Sequence, residues 1–164
     1  MARRDERATA GLSLAELLVA VAVLALLAGL AFGSGRRWLA QQQLETATRL
    51  VLAGLDQGRA QAGRLGRPCA IALSQQGWQE PNGGGLPSCL AQPLPLQEGV
   101  GAGALELSHN LPAALRFSSN GLLLDGGTVV LAVAGTPLQR CVVMALPLGV
   151  TRVGHWREGS CAPA

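Results

Sequence analysis

The chain has 164 residues, with thirteen arginines, no lysine and ten acids, for a net charge of +3. That length suits one domain plus a membrane segment. The mild basicity permits an anionic partner without implying one. Four cysteines, no C-x-x-C spacing and only two histidines, His109 and His155, argue against a dithiol redox motif, a zinc site or acid–base catalysis.

Residues 1–11, "MARRDERATAG", form a short polar leader with Arg3, Arg4 and Arg7 against Asp5 and Glu6. The run "LSLAELLVAVAVLALLAGLAF" follows at residues 12–32. Its length corresponds to about 31 Å of helix, close to the ~30 Å hydrocarbon core, and predicts a membrane-spanning helix over 12–33. A secretory signal peptide would be shorter and would end at a small-residue cleavage site. A plain signal anchor is the blander reading, and Glu16 speaks against it. A charged group at the bilayer centre costs roughly 2.5–3.5 kcal/mol on insertion scales, so a carboxylate there marks function. Arg36 and Arg37 beyond the run leave the positive-inside rule with weak orienting power.

From residue 34 to 66 the apolar period changes. Ala40, Leu44, Ala47, Val51, Leu55 and Ala62 recur at helical steps, while Gln41, Glu45, Arg49, Asp56 and Arg59 fill other faces. This is an amphipathic helix, with a bend expected at Gly33-Ser34-Gly35 and a stop at Gly63, Gly66 and Pro68. Residues 67–164 turn to short β-type runs: 69–73, 77–80, 104–107, 114–118, 122–124, 128–134, 139–145 and 149–154. A Gly/Pro-rich loop occupies 81–103, and "SNG" and "DGG" mark turns. A long helix followed by antiparallel hairpins makes an α+β fold.

Cys69, Cys89, Cys141 and Cys161 all lie beyond the apolar run. Even number and wide spacing favour disulfides formed in an oxidising compartment, with three pairings available. Cys69–Cys89 and Cys141–Cys161 are the favoured pairs, each worth about 3 kcal/mol in the chain-entropy model. Buried free thiols are the alternative. Near the C-terminus, Arg152, His155, Trp156 and Arg157 follow Arg140 on the preceding predicted strand. Such a group can grip phosphates and stack a base. It can equally be a solvated tail with Trp156 tucked on the sheet. "GVGAG" at 99–103 lacks the strand–turn–helix setting of a phosphate loop. No cofactor, no metal and no enzymatic activity are expected.

The segment around Glu16 resembles the type IV prepilin signal: a short basic leader ending in glycine, then an apolar helix with glutamate at the fifth mature position. The resemblance implies cleavage by a prepilin peptidase after Gly11 and methylation of Leu12, where the family usually has phenylalanine. It also implies pairing of Glu16 with the N-terminal amine of another subunit. With "LRFSSNG" (115–121) and the late "ALPLGVTRVG" (145–154), the chain resembles the GspH/FimT minor pilins and pseudopilins. That resemblance implies a non-catalytic subunit of a type IV pilus or a type II secretion pseudopilus. It would sit in the bacterial inner membrane, with its globular domain in the periplasm and other pilins as partners. The alternative it carries is a DNA-uptake pilin. Some FimT-type members bind DNA through a late Gly-Arg-x-Arg motif; here Gly149-Val150-Thr151-Arg152 keeps only the second arginine.

Overall fold

Ser13 and Glu16 begin the first described element. The Ser13 amide donates to Glu16 Oε2 at 2.9 Å, and the Glu16 amide donates to Ser13 Oγ at 3.2 Å. This reciprocal box satisfies two of the amide groups that a helix start leaves without partners. Helix α1 then runs Leu14–Leu65. The computed structural model describes residues 13–83, 85–97, 100, 104–146 and 149–163, without the side chains of 30–34. The proposed leader, Gly11 and Leu12 lie outside the described residues.

The chain divides into two compact units, Met1–Trp38 and Leu39–Ala164. In the first, the apolar side chains of α1 are exposed all round, among them Leu14, Leu17, Leu18, Val21, Leu24 and Leu27. The expectation of a membrane-spanning half is corrected here: among the described residues no helix is long and apolar enough to cross a membrane. The apolar stretch with described side chains covers residues 14–29 and contains Glu16. Within that stretch Glu16 is a charge whose transfer into hydrocarbon is costly. The single-pass inner-membrane placement rested on the same run and is corrected with it.

In the second unit, the stripe Ala40, Leu44, Ala47, Val51, Leu55 and Ala62 is buried, as its spacing predicts. One core cluster joins this face of α1 to two antiparallel sheets. The first sheet holds β1 (Cys69–Ser74), β2 (Gly77–Gln79), β3 (Leu94–Pro95) and β5 (Leu115–Phe117) in the order β3-β2-β1-β5. The second holds β4 (Leu105–His109), β6 (Gly127–Val133), β7 (Gln139–Ala145), β8 (Val150–Arg157) and β9 (Ser160–Pro163) in the order β4-β6-β7-β8-β9. β1 is buried along nearly its whole length, as a strand covered on both faces should be.

Two glycines on α1 let the sheet side chains approach. A Cβ on Gly54 would lie 2.1 Å from Trp78 Cδ1, and one on Gly58 would lie 2.7 Å from the Phe117 ring. Both aromatic residues are fully buried. Glycine costs about 0.8–1.0 kcal/mol in a helix interior relative to alanine, and here the cost is offset by burial of two large rings.

Three parts differ from the sequence expectation. The predicted strand 122–124 is a single bridge, Phe117 to Leu123. Its place is taken by an anchored turn: the Arg116 amide and Nε donate to Asp125 Oδ2 at 2.9 and 3.0 Å, and Nη2 donates to Oδ1 at 2.7 Å. The fork fixes the connection between β5 and β6, which lie in different sheets. The loop at 81–103 contributes β3 to the edge of β2. The C-terminal segment is a strand as well. Glu158 and Gly159 take φ of 49° and 79°, the two positive values of a tight hairpin turn, and β9 folds back on β8.

Candidate interaction surface

The register of the second sheet sorts its side chains. Leu131 opposes Arg140, and Arg140 opposes His155; this set shares the face that carries Leu107, Val129 and Val142 into the core. The opposite face carries Ser108, Val130 and Cys141 in one row and Thr128, Val143 and Arg152 in the next. Alternation along β8 places Trp156 with Arg152 and puts Arg157 with His155. The five residues singled out near the C-terminus are thus divided between two faces. Arg152 and Arg157 are exposed, whereas Arg140, His155 and Trp156 are half-buried.

Disulfides join Cys69 to Cys89 and Cys141 to Cys161. The first pins the 81–103 loop to β1, where the Cys89 amide donates to the Ala70 carbonyl at 3.0 Å. The second joins β7 to β9 across the intervening β8. Its Cα atoms are 5.9 Å apart, whereas strands two places apart in a flat sheet lie about 9.5 Å apart. The edge is therefore rolled. Gly154 permits the roll, because a Cβ there would lie 2.0 Å from the Ala162 carbonyl oxygen.

Rolling the β8–β9 hairpin toward the outer face leaves a groove of about 590 Å³ bounded by β4, β6, β7 and the hairpin. Ser108, Asn110, Thr128, Trp156 and Ser160 are among its lining residues. A second groove of about 450 Å³, lined by Arg152, Val153 and Pro163, shares Val143 and Cys161 with it. At another end of this unit Arg59 on α1 donates from Nη2 to the Gly149 carbonyl and sits 3.5 Å from Asp56. It joins Gly121, Leu123 and Val150 around a third hollow. Sequence reading passed over Arg59, since its partner stands 90 residues away. It passed over the Ser13–Glu16 box too, although S-x-x-E is a readable signal.

Glu16 is fully exposed, and the Ser13 amide, followed by the Ser13 hydroxyl, holds its carboxyl below the usual carboxylate range. Among the described residues, no group of three or more His, Cys, Asp or Glu is placed to hold a metal ion.

Comparison with curated proteins and with solved structures gave no match. The family model described as Type II transport protein GspH matches residues 47–147, from the middle of α1 to the end of β7. Because that match covers more than half of the chain, the protein belongs to the GspH family of pseudopilins and minor pilins, whose members are structural, non-catalytic subunits.

Proposed function

We propose that this chain is a fibre-forming subunit of a type II secretion pseudopilus or a type IV pilus, released by a prepilin peptidase after Gly11 and methylated on Leu12. The new N-terminal amine of one subunit meets Glu16 of another, and the apolar surface of residues 14–29 packs on neighbouring helices. The observation that carries this reading is the combination, on one helix, of an apolar surface exposed all round and a single carboxylate near its start. An all-round apolar helix is stable in water only when something covers it. Family membership supports other pseudopilins as that cover. Glu16→Ala should leave processing intact and reduce recovery of the subunit in sheared fibres, whereas normal incorporation would refute the pairing. Gly11→Val should block processing; a mature protein of unaltered mass would refute the site.

DNA capture is the weaker reading. Arg152 and Trp156 share a face, but Arg140, His155 and Arg157 lie on the other, so the charge that would grip a phosphate backbone is split.

A further inference from the structure

The groove between β4 and the β8–β9 hairpin has a definite chemistry. Its volume of about 590 Å³ falls in the ~300–1,000 Å³ range of small-molecule sites. Its lining includes one large aromatic, Trp156, set among Ser108, Thr128, Ser160, Asn110 and His109, and among the described residues it contains no Asp, Glu, Lys or Arg. Three of these polar groups are held in place. Asn110 Oδ1 accepts from the Thr128 amide at 2.6 Å, the Asn110 amide donates to the Thr128 carbonyl at 3.2 Å, and Ser160 Oγ donates to the Arg157 carbonyl at 3.2 Å. His109 Nδ1 accepts from the Leu111 amide at 3.3 Å. With Nδ1 engaged as the acceptor, Nε2 is the ring nitrogen left to donate.

We infer that this groove binds a neutral saccharide chain, with Trp156 packing on the C–H face of a pyranose ring and the surrounding hydroxyl, amide and imidazole groups bonding its hydroxyls. A pyranose with equatorial hydroxyls has an apolar face and a polar rim, and the groove offers the matching pair of surfaces. The lack of charge in the lining disfavours a phosphate, a carboxylate or an ammonium group as the main anchor, since buried or half-buried charges need partners. Trp156 is placed by the β8–β9 roll, so the site depends on the Cys141–Cys161 bridge. Nothing in this inference requires the helix of residues 14–29, and it stands apart from the assembly reading.

The test is titration of the full chain, kept in solution with a mild neutral detergent and with both disulfides intact, using cellohexaose and chitohexaose as probes. Tryptophan emission is read in a Trp38→Phe background, because Trp38 is exposed as well while Trp78 is fully buried, and saturation-transfer NMR reports on the sugar protons. Saturable binding of at least one probe is expected, independent of salt and weakened about tenfold or more in Trp156→Ala, a change of about 1.4 kcal/mol or more. Ser108→Ala and Thr128→Val, which leave the tryptophan in place, should each weaken it several-fold. Absence of saturation with both probes overturns the inference, as does undiminished binding by folded Trp156→Ala together with Ser108→Ala. Binding confined to an oligothymidylate, with steep salt dependence, overturns it as well and restores the nucleic-acid reading.

Discussion

The Trp78 indole donates from Nε1 to the Val51 carbonyl at 3.1 Å, through a notch in α1 that exists because residue 54 is glycine. The bond links a strand of the first sheet to the helix and satisfies the one polar atom of a fully buried side chain. An unpaired buried donor would cost about 1–3 kcal/mol.

Gly54→Ala therefore carries two opposed effects. Helix propensity improves by about 0.8–1.0 kcal/mol, but the new methyl collides with the indole, and overpacking costs about 1–3 kcal/mol. The collision distance of 2.1 Å involves a rigid ring, so a net loss of stability is expected. Denaturant unfolding of the full chain should show a lower midpoint; an unchanged or raised midpoint would contradict the packing described. Trp78→Phe keeps most of the volume, loses the bond and should cost about 1 kcal/mol.

At the sheet edge, Gly154→Val should prevent β9 from closing over β8. The added side chain meets the Ala162 carbonyl, and Cys141 and Cys161 are no longer held at bridging distance. Free-thiol titration of the unfolded variant should reveal two thiols where the parent has none. Replacing Cys141 and Cys161 together by alanine should lower stability by about 2–4 kcal/mol. A variant as stable as the parent would show that the bridge contributes nothing to the fold.

The Arg116 guanidinium, by hydrogen bonding to Asp125, holds that carboxyl below its ordinary range. Because the folded value is depressed, the contribution is fully present above about pH 3.9 and is lost as pH falls through the lower folded value. Asp125→Asn should destabilise the protein by about 1–2 kcal/mol at neutral pH, discounted for the exposure of Arg116. The gap between variant and parent should close in strong acid. A gap that persisted there would mean that packing, not charge, holds the turn.

Glu16 has a local role in capping α1 and a proposed role in assembly, and the two can be separated. Glutamine preserves the capping box but carries no charge. Glu16→Gln should lose fibre incorporation as Glu16→Ala does. Ser13→Ala should cost about 1 kcal/mol in helix-end stability and keep incorporation. If Glu16→Gln assembled normally while Ser13→Ala failed, capping would be the sole task of this pair.

What the amino-acid sequence determined by itself was whatever depends on local periodicity. The buried stripe of α1 follows from a period of 3.6, and β6 and β7 follow from alternating or continuous apolar runs between turn residues. Their boundaries fall within a residue or so of those expected. The family resemblance was legible too, since the model of that family covers the stretch from α1 to β7.

Only the tertiary structure decided the rest, because it rests on partners distant in the chain. β3 has two residues, one a proline, and is a strand only because the edge of β2 is available to it. β9 has little β propensity of its own and is held by its turn and by Cys141. The separation of Arg152 from Arg140 and His155 needs the cross-strand register, which no single segment encodes. The length and polarity of a run could suggest a membrane span, but the described helix does not supply one. The groove beside Trp156 exists because a sheet edge is rolled across a glycine, a shape set by contacts between β7, β8 and β9 and by no one of them alone.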